Sequence, residues 1–429
     1  MQTIAIPHPR RMRGPLNLKF NKSHINLIDI NRMHRILFTW ELGANLGHLT
    51  RDLPVAHALR AQGHEVAFCV RDIHVAQQVL ATAGFRFMQA PLAPSSATAS
   101  QTQANYSEML MAMGYSSSAL LAGLVNGWLT VFGLFKPDVV VVNHAPTALL
   151  AARAVGIPAV LTCTGFELPP AADVLPSIVP WQPVPAERLI AADQAVLHLM
   201  NGILRQYGKP LLARVADLFA GAERFMTTFP ELDHYGARPE ERYVGPVSAL
   251  PQAPRHAWPA AGQGPRIFAY LRPSIPGLEH LLAALKEQAA NVVCVIPGIS
   301  TAMADPFRSP AFTILAHPIA LDAILPAADL VVASGAGTVA GALLAGIPLL
   351  MAPQFVEQAL LARRIEASGA GIHWAPPRTA ESARAIVDTA LSNTSLKTNA
   401  RGFALKYQSY SMDSAVAEIA EAILARAAG

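Results

Sequence analysis

Short runs of β-branched and aliphatic residues alternate with longer segments of helical periodicity. In the first half of the chain the runs predict strands and the periodic segments predict helices: strands at Ile36–Trp40, Glu65–Val70, Val139–Asn143 and Ala159–Thr162, and helices at Leu49–Gln62 and Pro146–Val155. A strand followed by a helix and then by a second strand is the βαβ unit, which builds a parallel sheet covered by helices. We therefore expect one doubly wound domain here.

The same alternation starts again after a segment rich in proline and alanine. It predicts four strands and four helices: strands at Ile267–Leu271, Val292–Ile296, Leu330–Ala333 and Leu349–Ala352, and helices at Leu278–Gln288, Ile319–Leu325, Thr338–Ala345 and Ser414–Ala427. The expected fold class is α/β, with two Rossmann-like domains that face each other across a cleft. The expected boundaries are an N-terminal domain at 33–245, a linker at 246–265, a C-terminal domain at 266–405 and, at 406–429, a last helix that packs on either domain.

Length and charge agree with this division. A chain of 429 residues is too long for one compact core, and 52% of it is hydrophobic. The net charge of +4 is localised, because residues 1–32 hold six Lys or Arg against one Asp and the remainder therefore carries −1. A nearly neutral body excludes a broad basic face for nucleic acid. We expect 1–32 to be a basic tail that is disordered or lies upstream of the true start at Met33; the alternative is a tail that meets anionic lipid.

Cysteine usage and apolar segments bear on the compartment. Cys69, Cys163 and Cys294 lie far apart beside or within apolar runs and are predicted to be buried thiols, which is typical of a reducing compartment. Residues 109–135 and 330–355 carry no charge, but glycine, proline or polar residues interrupt both, so neither predicts a membrane span. We expect a cytoplasmic protein, and peripheral contact with the inner membrane face stays open.

The turn Ser334-Gly335-Ala336-Gly337-Thr338 is the most informative segment. A strand enters it and a helix leaves it. Glycines let the backbone approach a diphosphate closely, and the free N–H groups at the helix start stabilise the negative charge. Thr338 adds a hydroxyl donor. The alternative is a tight strand–helix turn without a ligand.

The segment around this turn resembles the C-terminal signature of UDP-sugar-dependent glycosyltransferases, a family with the GT-B fold that includes glucuronosyl, macrolide and glycopeptide glycosyltransferases. The family's run His-Gly-Gly-x-Gly-Thr aligns without gaps with 333–338, and the spacing to Gly346 and Pro348 is kept. The family's acidic residue and Gln, which hold the donor sugar's hydroxyls, fall on Glu357 and Gln358. The resemblance therefore implies a nucleotide-sugar site built from these residues.

The N-terminal half resembles the same family, and the likeness covers most of residues 34–375. The matching segments are Gly43-Ala44-Asn45-Leu46-Gly47-His48, Gly63-His64-Glu65-Val66, Pro230-Glu231-Leu232 and Tyr243-Val244-Gly245-Pro246. In the family the position of His48 holds the general base that deprotonates the acceptor hydroxyl, and a His suits this task because its pKa lies near working pH. Gly47 beside it is expected to border the donor. The alternative for His48 is an ordinary polar residue at a helix start.

Two positions depart from the family pattern. Ala333 replaces the His that binds the diphosphate, and we hypothesise that Arg272, at the carboxyl end of the second domain's first strand, compensates for it, since guanidinium binds phosphate bidentately. Asn143 lies where the family often has an Asp that orients the base, so His48 is expected to lack an anionic partner.

His144 is the alternative proton relay. Strand alternation predicts that Asn143 and His144 point to opposite sides, so that only one of them faces the cleft.

The resemblance implies transfer of a sugar from a nucleotide diphosphate donor, expected to be a UDP-sugar, to an acceptor hydroxyl with inversion. No cofactor or metal is implied, since the chain has no Asp-x-Asp motif. The acceptor is expected to be a small molecule or a lipid, with residues 109–135, including Trp128, as a candidate apolar wall; an ordinary buried helix is the alternative. Two other functions remain open: a non-catalytic binder of nucleotide sugars and a sugar-nucleotide 2-epimerase.

Overall fold

The structure is a computed structural model that describes residues 32–43, 46–94, 102–249, 253–261 and 264–429. The predicted basic tail, apart from Arg32, lies outside these residues. Met33–Gly429 form one compact unit.

The N-terminal half of this unit is built on a parallel sheet. Its strands are β1 (Arg35–Trp40), β2 (Glu65–Val70), β3 (Arg86–Gln89), β4 (Val139–Val142), β5 (Ala159–Cys163) and β6 (Glu223–Met226). Its helices are α1 (Gly47–Ala61), α2 (Ile73–Ala76), α3 (Tyr106–Ala112), α4 (Ser118–Phe135), α5 (Pro146–Val155) and α6 (Ala186–Gln206). Among the described residues the strand order is β3-β2-β1-β4-β5-β6, so the direction of winding changes between β1 and β4.

The C-terminal half repeats this plan. Its strands are β7 (Arg266–Tyr270), β8 (Asn291–Val295), β9 (Phe312–Leu315), β10 (Leu330–Ala333), β11 (Leu349–Met351) and β12 (Gly371–His373). Its helices are α7 (Leu278–Glu287), α8 (Thr301–Ala304), α9 (Ala336–Leu344), α10 (Val356–Ala367), α11 (Ala380–Ser392) and α12 (Thr394–Lys406), and the chain ends in α13 (Met412–Ala428). The order β12-β11-β10-β7-β8-β9 places the change of winding between β7 and β10. The expected α/β class with two Rossmann-like sheets is confirmed.

One predicted helix is wrong. Residues 319–325 form no α-helix but contribute to two short 3₁₀ turns, Leu321–Ala323 and Leu325–Ala327. Pro326 follows the segment directly, and it lacks the N–H that the interior of an α-helix needs.

Strand alternation divides the core of the first sheet between its two faces. Ile36, Phe38 and Trp40 of β1 pack on one face, while Leu37 packs on the other. The last helix, α13, joins the first of these clusters through Ile419 and its neighbours, so the C-terminal end of the chain packs on the N-terminal domain. The three cysteines are buried free thiols, as predicted.

The helix α4 is long and apolar enough to cross a membrane by length and composition. Its buried side, however, belongs to the core of the N-terminal domain, where Trp128 is fully buried and donates a 2.8 Å hydrogen bond from Nε1 to Glu41. Trp128 is therefore a core residue that an acceptor cannot reach. This favours the alternative, in which the segment is an ordinary buried helix, over an apolar wall for the acceptor.

Shortening Ile419 tests the docking of α13. Ile419 is completely buried, so Ile419→Ala leaves a cavity between α13 and the sheet. We expect this to lower the free energy of unfolding by about 2–5 kcal/mol. Denaturant unfolding measures the change. Glu421→Ala, on the exposed side of the same helix, is the control and is expected to change stability by less than about 0.5 kcal/mol. Equal effects of the two substitutions would contradict this packing.

Candidate active site

The predicted site residues follow the four strands that flank the two changes of winding. His48 stands at the start of α1, after β1, and Asn143 directly follows β4. In the second sheet Arg272 follows β7, while the turn 334–338 follows β10. Parallel α/β sheets bind ligands at the carboxyl ends of the strands at such switch points. The topology thus brings the base candidates together in one sheet and the donor candidates together in the other.

A hydrogen bond of 2.8 Å joins His48 Nδ1 to Asn143 Oδ1. The orientation of the Asn143 amide follows from its other contacts, because its Nδ2 lies 2.9 Å from two acceptors, the backbone oxygen of His48 and Asp52 Oδ2. Its Oδ1 also accepts from the guanidinium of Arg51. The oxygen of Asn143 therefore faces His48, so Nδ1 carries the proton of the neutral imidazole and Nε2 keeps its lone pair. This is the tautomer that a general base needs.

Behind Asn143 lies a buried ion pair. Arg51 Nη1 donates to Glu167 Oε1 at 2.9 Å, and both side chains are less than a tenth exposed. The second oxygen of Glu167 accepts from the backbone N–H and the hydroxyl of Thr164. Burial opposes the ionisation of Glu167, but the charge of Arg51 holds the pKa of this carboxyl well below its usual value. The pair is therefore charged and fixes Arg51 beside Asn143.

The acidic residue Asp52 is linked to His48 by two hydrogen bonds, both of which involve the amide of Asn143. Burial raises the pKa of Asp52 to about 7, although Arg51 and the hydrogen bonds from Asn143 and Thr162 act in the opposite direction. His48 was expected to lack an anionic partner because Asn143 is neutral. In the structure His48 has no carboxylate on Nδ1; the carboxyl group of Asp52 is linked to it only across the amide of Asn143.

The ring of His48 is held on its other sides by Trp40, which stacks on it at 5.1 Å, and by the backbone at Gly43. The His144 ring lies 6.1 Å away. The prediction that Asn143 and His144 point to opposite sides is wrong: β4 ends at Val142, and His144 adopts a left-handed backbone with φ of 48° that turns it towards His48. Burial lowers the pKa of His144 to about 3, so this ring is neutral.

Burial and the charge of Arg51 also lower the pKa of His48, against the opposing effect of Glu167. A base that stays neutral at physiological pH is ready to accept a proton.

Arg51, Asp52 and Glu167 were missed by the sequence prediction. Two of them carried a usable signal, because residues three and four positions after His48 share its side of a helix. Glu167 carried none, since it is far from Arg51 in sequence.

On the donor side, α9 begins without a side-chain cap. Its first residues are Ala336, Gly337 and Thr338, and the N-cap Gly335 has no side chain to accept their N–H groups. Ser334 is buried at the end of the strand. A Cβ added to Gly335 would meet no described atom within 4 Å. The turn therefore presents open amides and free space, as a diphosphate site requires. Gly47, at the start of α1, is exposed and has similar space around it.

Arg272 lies next to this turn. Tyr270 of β7 pairs with Ala333 of β10, so the chain segments that leave the two strands are neighbours. Arg272 is partly buried, and within the described part of the chain its guanidinium has no hydrogen-bond or ion-pair partner. A half-buried cation without an anion is suited to bind one.

Glu357 and Gln358, in the first turn of α10, differ in their surroundings. Gln358 is buried, and its Oε1 accepts the backbone N–H of Gln354 at 2.9 Å, so this oxygen is already used in the turn. Glu357 is about a third exposed and faces His234 of the N-terminal half, with 3.5 Å between Oε1 and Nε2. Glu357 is thus the more accessible of the two for a sugar.

The two halves of the site meet at Ser248. Its hydroxyl donates to Thr50 Oγ1 of α1 at 3.2 Å, and a Cβ on Gly337 of α9 would lie 3.7 Å from the same hydroxyl. The first turns of α1 and α9 are therefore close neighbours. Among the described residues, no group of three His, Cys, Asp or Glu side chains forms a possible metal site.

Two family models match the chain. Residues 279–423 match "Erythromycin biosynthesis protein CIII-like, C-terminal domain", and residues 50–207 match "Glycosyl transferase 4-like domain". No curated protein matches.

Solved structures of several glycosyltransferases share the fold. Spinosyn rhamnosyltransferase SpnG, complexed with thymidine diphosphate, is 20% identical with a TM-score of 0.66 and covers 90% of this chain and 100% of its own. Glycosyltransferase VinC in complex with DTDP is 18% identical with a TM-score of 0.65, covering 91% and 99%. SsfS6 from Streptomyces sp. SF2575, complexed with thymidine diphosphate, is 21% identical with a TM-score of 0.61, covering 90% and 100%.

The fold and the two matched domains define the chain as a glycosyltransferase of the GT-B fold. Its C-terminal domain is similar to that of the erythromycin biosynthesis protein CIII-like proteins.

Gly43 is a sensitive position for the base. It has a φ of +83°, and an added Cβ would lie 2.4 Å from His48 Nε2. Gly43→Ala is expected to displace the imidazole and to lower kcat/KM of sugar transfer by about a hundredfold. Steady-state kinetics measures the loss.

Gly63→Ala is the matched control, because Gly63 has a φ of +89° but open space at its Cβ. It carries the same backbone strain without the clash and is expected to keep its rate. Equal losses in both variants would show that strain, and not the position of His48, is responsible.

Proposed function

We propose that this chain transfers a sugar from a nucleoside diphosphate donor to an acceptor hydroxyl in a single inverting displacement, with His48 as the general base. The observation that carries this proposal is the hydrogen bond from His48 Nδ1 to Asn143, which leaves Nε2 unprotonated. Nε2 takes the acceptor proton while the acceptor oxygen attacks the anomeric carbon. The bond from that carbon to the diphosphate oxygen breaks, and the nucleoside diphosphate leaves with the electron pair.

The leaving diphosphate gains negative charge as this bond breaks. The open amides at the start of α9 face the crevice, and Arg272 adds a full positive charge beside them. Preorganised donors of this kind stabilise a transition state because they need no rearrangement when charge develops. On this proposal no metal ion is required.

The donor is a UDP-sugar or a dTDP-sugar. The sequence resemblance favours uridine, whereas three of the related structures hold thymidine diphosphate. The α9 amides contact only the diphosphate in this proposal and do not distinguish the two bases. A screen with both donor series, with EDTA present and a mixed pool of hydroxylated acceptors, tests the function; a new glycoside supports it. Binding without product would favour the non-catalytic alternative, and a changed donor sugar would favour epimerisation.

Removal of the base is expected to abolish transfer but to leave donor binding intact. His48→Ala should lower kcat by about 10²–10⁴-fold, the usual contribution of general base catalysis. His57→Ala, on the same helix but packed on Phe85, is the control and should keep the wild-type rate. Undiminished transfer by His48→Ala would contradict the role of this residue.

The pH dependence follows from the lowered pKa of His48. The neutral ring is the active form, so wild-type kcat/KM should fall only on the acid side, at a pH below the ordinary imidazole range. An acid limb at or above that range would mean that another group is the base.

Arg272→Ala is expected to weaken nucleoside diphosphate binding by about 10–100-fold, because hydrogen bonds to charged groups contribute about 1.5–3 kcal/mol. Calorimetric titration with UDP and dTDP measures it. Arg266→Ala, an exposed arginine at the opposite end of β7, is the control and should bind as the wild type does. Unchanged affinity in Arg272→Ala would show that Arg272 does not replace the missing histidine.

A further inference from the structure

Glu357 of the donor motif is paired with a residue of the other domain. His234 Nε2 lies 3.5 Å from Glu357 Oε1, and the His234 side chain is 1% exposed against 38% for Glu357. Glu357 makes no other ion pair and no hydrogen bond within the described residues. One oxygen of the carboxylate therefore has an ion-pair neighbour from the N-terminal half, while the side chain as a whole stays partly exposed.

The opposite side of the His234 ring fixes its protonation. Its Nδ1 lies 3.2 Å from the backbone oxygen of Thr164, which can only accept a hydrogen bond, so Nδ1 carries a proton. In a neutral ring, Nε2 would then direct a lone pair at the Glu357 carboxylate. Only the imidazolium, with a proton on each nitrogen, suits both neighbours.

The charges around His234 agree with this geometry. Burial disfavours protonation, but Glu357, followed by Glu167 and Asp233, outweighs burial and raises the pKa of His234. Two of these acids are neutralised by other residues, since Arg51 pairs with Glu167 and Arg238 pairs with Asp233. Glu357 is the one without a second cation.

The backbone that carries His234 is tightly fixed. The buried Asp233 carboxylate accepts from Tyr243 Oη at 2.7 Å, from Arg238 Nε at 2.9 Å and from Tyr235 N at 3.0 Å. Gly165 packs so closely that a Cβ on it would lie 2.7 Å from Asp233 Oδ1. His234 is therefore placed by the N-terminal half itself and does not depend on Glu357 for its position.

We propose that His234 is a positioning residue for the donor sugar: its side chain orients the Glu357 carboxylate so that the free oxygen accepts hydrogen bonds from sugar hydroxyls. This rests on the proposed function. The N-terminal domain, which carries the base, thereby takes part in recognising the sugar bound to the C-terminal domain. Because the contact involves the sugar and not the diphosphate, loss of His234 affects the two parts of the donor differently.

The test compares donors with and without the sugar. Dissociation constants are measured by calorimetry for UDP-glucose and UDP, and for dTDP-glucose and dTDP, with wild type and His234→Asn. The Asn amide occupies the position of Nδ1, so it can still donate to Thr164, but it is too short to reach Glu357 and carries no charge. We expect about tenfold weaker binding of the nucleotide sugar and unchanged binding of the diphosphate alone. In the wild type the sugar contribution should also fall as pH rises through the pKa of His234, whereas in His234→Asn it should be flat.

Two variants complete the design. His373→Gln breaks the other His–Glu contact of α10, in which His373 Nδ1 lies 2.7 Å from Glu366 Oε2 within one domain, and should bind both ligands as the wild type does. Glu357→Gln, at a partly exposed position, should show the same selective loss as His234→Asn, and the double variant should lose no more than Glu357→Gln alone.

The outcomes separate the two proposals. An equal loss for sugar nucleotide and diphosphate, or no loss for either, overturns the positioning role of His234 and reduces the pair to a domain contact. A wild-type chain that binds neither sugar nucleotide overturns the proposed function together with this inference. Selective loss of the sugar contribution in both single variants, with His373→Gln unchanged, supports it.

Discussion

The buried ion pair between Arg51 and Glu167 is the interaction on which the geometry of the site depends. Taking two charges out of water costs several kcal/mol for each ion, and their attraction offsets this only where the remaining polar atoms are also satisfied. Here most of them are: Arg51 also donates to Asn143, and Glu167 also accepts from the backbone and hydroxyl of Thr164, whereas Arg51 Nε is buried without a hydrogen-bond partner among the described residues. The pair thus ties α1 to the loop after β5 and to the end of β4. His48 stands one turn before Arg51 on α1, so its orientation depends on the same contacts.

The loop after β5 extends this arrangement across the domain boundary. Thr164 donates to Glu167 through its N–H, and its carbonyl accepts from His234, which faces Glu357 on α10. A continuous series of polar contacts therefore runs from the base candidate to the carboxylate of the donor motif. The candidate groups for the acceptor and for the donor sugar are therefore both supported by the loop after β5.

The sequence predicted the interior of both sheets but none of their edges. The strands that were missed are β3, β6, β9 and β12, which are the two outer strands of each sheet. Edge strands are short and partly exposed, so they lack the continuous apolar run that marks a buried parallel strand. The donor turn was visible because its residues are consecutive. The support of His48 was only half visible, since Arg51 and Asp52 follow it at helical spacing whereas Glu167 is brought in by the fold.

The two departures from the family pattern, at Asn143 and Ala333, are alike: each lacks a polar group at a strand end, and a neighbouring element carries a similar group. At the base, the acid is absent from the end of β4, where Asn143 stands, and a carboxyl group enters from α1 as Asp52, 2.9 Å from the Asn143 amide. At the donor turn, the cationic or donor side chain is absent from the end of β10, and Arg272 stands at the end of β7, the neighbouring strand. In each case a side chain on an adjacent element at the same switch point is the candidate to replace the missing group. A sequence motif is compared position by position along the chain, so a functional group that moves to another element looks like a missing motif residue. A crevice formed by two strand ends and a helix start can accept the group from any of these elements, since electrostatic stabilisation depends on distance and burial.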